Sequence, residues 1–185
     1  MIQALTPSLS LEEFLERPET KPALEYLNGT IQEKPMPQGE HSRLQYRLCL
    51  AINTVAETAK VACAFPELRC TFGGRSMVPD IAVFRWERIP RTDSGKIANR
   101  FGLHPDWAIE ILSPHQNHSQ ALDKLLHCSQ AGTSLGWLIN PAEESTWVIR
   151  ENQRIDLFTT DAQLPILEGI DLQLSVEEIL GWLIL

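Results

Sequence analysis

The chain has 185 residues, 43% of them hydrophobic and 22% charged, with 24 acids against 16 Lys and Arg for a formal charge of −8. One domain over 1–185 with a full core is expected at that length, and the near-average composition excludes disorder, collagen and coiled coil. An acidic chain does not attract a polyanion over its whole surface, and the basic residues concentrate in 69–100, which sums to +4, while 143–185 sums to −7.

No apolar run approaches the roughly 20 residues a membrane helix needs. The segment MIQALTPSLSLEEFLERPET lacks a basic start followed by an apolar block, so no secretory signal is read there and a cytoplasmic location is expected. Ser10-Leu11-Glu12-Glu13 reads as a capping box opening a short helix that Pro18 closes. Asn28-Gly29 between apolar-rich arms predicts a tight hairpin over 23–34. From Glu40 to about Lys60, Leu44, Leu48, Ala51, Ile52, Val55 and Ala59 recur at helical spacing and predict the longest helix.

Short strands are then expected over Val61–Phe65, Leu68–Phe72 and Val78–Phe84, with Gly73-Gly74 as a turn, followed by a polar, arginine-bearing loop over 85–104. Trp107–Leu112 reads as a strand, Ser119–Ala131 as a helix closed by Gly132, and Leu135–Ile139 as a buried strand stopped by Asn140-Pro141. A hairpin is expected from Thr146–Arg150 and Arg154–Thr159, and Ser175-Val176-Glu177-Glu178 caps a last helix. Together these elements give an α/β domain with a mixed central sheet. Cys49, Cys63, Cys70 and Cys128 show neither a CxxC nor a zinc-like spacing and read as free, buried thiols.

Two acids sit in apolar runs: Asp80 in Val78-Pro79-Asp80-Ile81-Ala82-Val83-Phe84, and Glu110 in Trp107-Ala108-Ile109-Glu110-Ile111-Leu112. An ionised carboxylate in such a strand is costly unless it is paired or protonated. Either acid taken alone fits the solvent face of its strand equally well. On neighbouring strands, the two suggest a hard divalent cation between them. Lys124, early in the following helix, gains nothing from the helix dipole there, and folding back would bring it towards Glu110. His115 and His118 lie in the intervening loop, where solvent contact is the ordinary case.

Pro79-Asp80, Glu110-Ile111-Leu112-Ser113-Pro114, Lys124, Gly132 and Trp137-Leu138-Ile139-Asn140-Pro141, in that order, resemble the Uma-type restriction endonuclease family of the PD-(D/E)XK nuclease superfamily. Glu25-Tyr26-Leu27-Asn28-Gly29 and His41 match its N-terminal pattern, and 110–141 is the specific stretch. The resemblance implies a restriction-endonuclease-like fold, a mixed central β-sheet flanked by helices, with an N-terminal hairpin and a C-terminal hairpin plus helix. It implies metal ligands at Asp80, Glu110 and the main-chain carbonyl of Ile111, with Glu25 as an acidic neighbour. In the parent pattern a lysine lies two residues after the acid. That position is Leu112, and the resemblance implies a lysine migrated to the next helix, at Lys124. His41 matches a histidine at the start of the long helix and is a candidate support for the site. Gln120, Cys128 and Gly136 depart from the family's acid and its two aromatics.

The expected activity is a metal-dependent DNA endonuclease using Mg²⁺ or Mn²⁺, with Lys124 assisting the attacking water. Arg85, Arg88, Arg91, Lys96 and Arg100 are candidates to cradle backbone phosphates, and a homodimer would suit two-strand cutting. Two other readings stay open: a nuclease-fold nucleic-acid-binding or accessory protein with weak turnover, and an acidic module that docks a basic protein.

Overall fold

The computed structural model describes residues 9–185 apart from His115. The first eight positions of the segment read for a leader, and one of the two loop histidines, lie outside the described residues. A capping box between Ser10 and Glu13 opens α1 (Leu11–Leu15). β1 (Leu24–Leu27) and β2 (Thr30–Glu33) form the N-terminal hairpin. Asn28 and Gly29 join them with φ of 52° and 80°, the doubly left-handed turn that matches strand twist. α2 (Gly39–Ala56) follows, then β3 (Ala62–Pro66), β4 (Cys70–Phe72), β5 (Arg75–Met77), β6 (Ile81–Arg85) and β7 (Trp107–Ile111). α3 (His118–Gln130), β8 (Leu135–Asn140), β9 (Ser145–Arg150), β10 (Ile155–Thr159) and α4 (Val176–Gly181) complete the chain.

The strands form two sheets: six strands in the order β10-β9-β8-β7-β6-β3, and four in the order β2-β1-β5-β4. Only β7 and β8 of the larger sheet run parallel, and α3 makes the crossover that a parallel pair requires. Period-two alternation divides β7 between two cores. Trp107, Ile109 and Ile111 face Leu44, Leu48 and Ile52 of α2, while Ala108 and Leu112 pack with Ala121, Leu125 and Cys128 of α3. Glu110 therefore projects to the α3 side.

Two boundaries differ from the sequence reading. α2 stops at Ala56 because residues 57–60 are all exposed, so no tertiary contact holds further turns. The run Val78–Phe84, expected as one strand, is strand only from Ile81: Val78-Pro79-Asp80 links β5, which the sequence reading did not expect, in the small sheet to β6 in the large one. Pro79 lacks an N–H and holds Val78 extended, so the ladder breaks there and the chain crosses between sheets. Asp80 therefore precedes its strand instead of lying within it. The expected N-terminal hairpin also gains a neighbour, since Tyr26 of β1 pairs with Ser76 of β5. Among the described residues, no helix is long and apolar enough to cross a membrane.

Candidate active site

The crossing from β5 to β6 delivers Asp80 to the end of β7, where the Ile111 N–H donates to Asp80 Oδ2 at 2.7 Å. His41 Nε2 meets the same oxygen at 2.9 Å, and Lys34 Nζ lies 2.8 Å from Oδ1. His41 arrives because it continues the buried stripe of α2, His41-Leu44-Leu48-Ile52-Ala56, at the i, i+3, i+7 spacing of one helix face. Lys34 follows β2, and its backbone N–H is tied to the Ala23 carbonyl at 2.8 Å.

Lys124 lies on the buried stripe of α3 with Ala121, Leu125 and Cys128. Its Nζ is 2.7 Å from Glu110 Oε1 and 2.9 Å from Glu25 Oε1. Both contacts are ion pairs outside hydrogen-bond geometry, and Glu110 Oε1 has no hydrogen-bond donor. Glu25 reaches the cluster from β1 and accepts the Val78 N–H at 2.7 Å. Asp80, Glu110, Glu25, Lys124, His41 and Lys34 are 2–7% exposed, a concentration of buried charge that only mutual pairing sustains.

Burial favours a neutral Asp80, but Lys34 and His41 outweigh it and hold the carboxyl below its usual range. Burial pushes Glu110 up to about 7, with Lys124 opposing and the charge of Asp80 reinforcing the rise. Burial likewise works against the Lys124 ammonium, but Glu110, Glu25 and Asp80 prevail and raise its pKa.

The donor set fits a hard cation. It offers carboxylate oxygens, one of them without a donor, and the carbonyl of Ile111, which turns to the same side of β7 as the N–H bound to Asp80. Among the described residues, no three His, Cys, Asp or Glu side chains converge as a ready cage. An ion here would thus retain waters, as Mg²⁺ usually does.

The structure thus brings together Asp80, Glu110, Glu25, Lys124, His41 and the Ile111 main chain. It does not bring Arg85 and Arg88 to them. Arg85 ends β6, about 17 Å from Asp80 at the rise of an extended strand. Its N–H donates to Asp106 Oδ2 at 2.8 Å, and its guanidinium donates to the Glu168 carbonyl at 3.0 Å. Arg88 pairs with Asp106 at 2.6 Å, and Arg91 lies over Trp86 at 5.4 Å. Lys96 and Arg100 are exposed, and Arg100 precedes Phe101, which bridges to Cys70 of β4. Arg85 and Arg88 are engaged with Asp106 at the other end of β6 from Asp80.

Sequence reasoning missed Lys34, Glu67 and Gln45. Lys34 Nζ also contacts Glu67 Oε1 at 3.0 Å and donates to the Val78 carbonyl at 2.8 Å. Gln45 Nε2 donates to the Asp80 carbonyl at 2.7 Å and to Glu67 Oε1 at 3.1 Å. A lysine at the end of an amphipathic hairpin carries no local sign of burial. Gln45, next to Leu44 on the stripe of α2, gave only a faint one.

No protein of curated function matches the chain. A solved structure, that of a putative nuclease belonging to DUF820 from Anabaena variabilis ATCC 29413, is 48% identical and superposes with a TM-score of 0.92. The match covers 95% of this chain and 99% of that one. The model of the Uma2 family, described as "Putative restriction endonuclease", matches residues 11–177. With the family's pattern running through nearly the whole chain, the protein belongs to the Uma2 family.

Proposed function

We propose that this chain is a metal-dependent nuclease that hydrolyses phosphodiester bonds in DNA. The observation that carries the reading is the meeting of Asp80 with the Glu110–Ile111 strand end, with Lys124 between Glu110 and Glu25 at 2.7 and 2.9 Å. Family membership and the 48% identical putative nuclease support it. A Mg²⁺ or Mn²⁺ ion held by Asp80, Glu110 and the Ile111 carbonyl, with Glu25 beside them, would acidify a water and polarise a phosphate.

The chain's own groups supply the rest. His41 and the Ile111 N–H fix the plane of the Asp80 carboxylate. The Val78 N–H fixes Glu25. The ammonium of Lys124 can orient the attacking water or stabilise charge on a non-bridging oxygen, acting in a site where burial strengthens it.

The test is a calorimetric titration with Mg²⁺ and Mn²⁺ beside a short DNA duplex, followed by analysis of the DNA for cleavage. Metal binding and cutting by the wild type, both lost in Asp80→Ala and Glu110→Ala, are expected. Absence of both in the wild type overturns the reading.

A second reading is a nuclease fold that binds nucleic acid with little turnover. It is favoured by the closure of the cluster, in which each carboxylate already lies against a lysine. Duplex binding without cleavage products would select it.

A further inference from the structure

We infer that Lys34 is a built-in competitor of the divalent cation at Asp80, sharing the Asp80 oxygen that no backbone N–H occupies. A carboxylate has about four acceptor sites, two on each oxygen. Asp80 Oδ2 accepts the Ile111 N–H at 2.7 Å and faces His41 Nε2 at 2.9 Å. Oδ1 accepts no backbone N–H and faces only the Lys34 ammonium, at 2.8 Å. The remaining site is on Oδ1, so a cation reaching Asp80 binds beside that ammonium.

Lys34 cannot easily yield. Its ammonium donates to the Val78 carbonyl and Glu67 Oε1 and is ion-paired with Asp80 Oδ1, all within 3.0 Å. The residue is 7% exposed. Held by these three protein groups, it acts through Asp80, as a positioning residue and not a catalytic one. Two cations on one oxygen repel, so the free protein holds metal weakly. Added negative charge from a phosphate restores the balance. Lys34 thus couples metal loading to the arrival of substrate. The inference rests on the nuclease reading for the place of the metal.

The test measures free Mn²⁺ by electron paramagnetic resonance, without DNA, in wild type, Lys34→Met, Lys34→Arg and Lys34→Met/Asp80→Asn. Circular dichroism verifies the fold of each variant. Lys34→Met is expected to bind Mn²⁺ about tenfold tighter or more, Lys34→Arg to stay near wild type, and the double variant to lose the gain. A merely structural role predicts weaker binding, so a gain is diagnostic. Should the methionine variant not fold, Lys34→Gln removes the same charge and is expected to show the same gain. Asp80-dependent binding in the wild type with no gain in the neutral variants overturns the inference alone. Absence of Asp80-dependent binding in every form, also after a short DNA duplex is added, overturns the nuclease reading along with it.

Discussion

Lys34 and Lys124 donate to one acceptor, the Val78 carbonyl, at 2.8 and 3.5 Å. One comes from the end of β2 and the other from the middle of α3, so the Val78-Pro79-Asp80 crossing is held by two buried ammoniums. Each is matched to different acids: Lys34 to Asp80 and Glu67, Lys124 to Glu110 and Glu25. The arrangement couples the packing of the two sheets and α3 to the electrostatics of the candidate site.

Lys124→Met should destabilise the protein by about 3–5 kcal/mol near neutral pH, because two buried carboxylates lose their cation. Without it the folded-state pKa of Glu110 rises further above the unfolded value of about 4.3. Its protonation then favours the folded state. The deficit should be largest above the folded pKa and shrink as pH falls towards the unfolded one. Urea melts of both proteins at several pH values check this; a deficit independent of pH would mean that lost packing dominates.

Arg88→Ala should leave both duplex affinity and its salt dependence at wild-type levels, since Arg88 pairs with Asp106 at 2.6 Å at the far end of the sheet from Asp80. Its stability should fall by about 1–3 kcal/mol, as the largely buried Asp106 carboxylate loses a charged partner. Fluorescence anisotropy at several salt concentrations, beside a denaturant melt, separates the two effects. A shallower salt slope would return Arg88 to the phosphates.

His127 should make the protein lose stability on mild acidification. Burial lowers its pKa from 6.5, the Phe72 carbonyl opposes the shift, and Arg75 adds to it. A depressed imidazole pKa means that the folded state takes up its proton less readily than the unfolded chain. The stabilisation is therefore complete above the unfolded value and lost as pH falls from there through the folded one. His127→Gln, which can still donate to Phe72, should flatten the wild-type decline over this window in urea melts. Parallel declines would show that other groups cause it.

The four cysteines should be unreactive in the native protein. Burial pushes Cys49 and Cys70 up to about 12 and Cys63 up to about 11, and raises Cys128 as well. Little thiolate exists at about pH 8 under those conditions. A chromogenic disulfide reagent should label the native protein slowly and all four thiols promptly in strong denaturant. Rapid labelling of a native cysteine would identify a thiol that the fold does not protect.

The elements were legible where local chemistry decides them. The capping boxes at Ser10 and Ser175, the Asn28-Gly29 turn and the stripe Leu44-Leu48-Ile52 appear where the sequence predicts them. Asp80 and Glu110 were legible as anomalies, because a charge within an apolar run is expensive wherever the run is buried. Lys124 was legible only in combination, as the lysine that the family pattern places in the helix after Glu110, where the helix dipole gives it no local role. Residues 57–60 resembled helix because periodicity records which side chains would share a face, not whether anything covers it.

Long-range approach was decided only in three dimensions. Lys34 and Asp80 are 46 positions apart, on segments attached to different sheets, and no local pattern announces their 2.8 Å contact. Nor does composition reveal that Arg85 and Arg88 serve Asp106 at the opposite end of β6. The sequence by itself determined the elements, the two expensive acids and the family pattern, because propensity, capping and burial cost act over a few residues. Tertiary structure decided which cation neutralises which acid. That choice depends on the crossing of Val78-Pro79-Asp80 between sheets, and charges in a low-dielectric interior are settled by distances of a few ångströms.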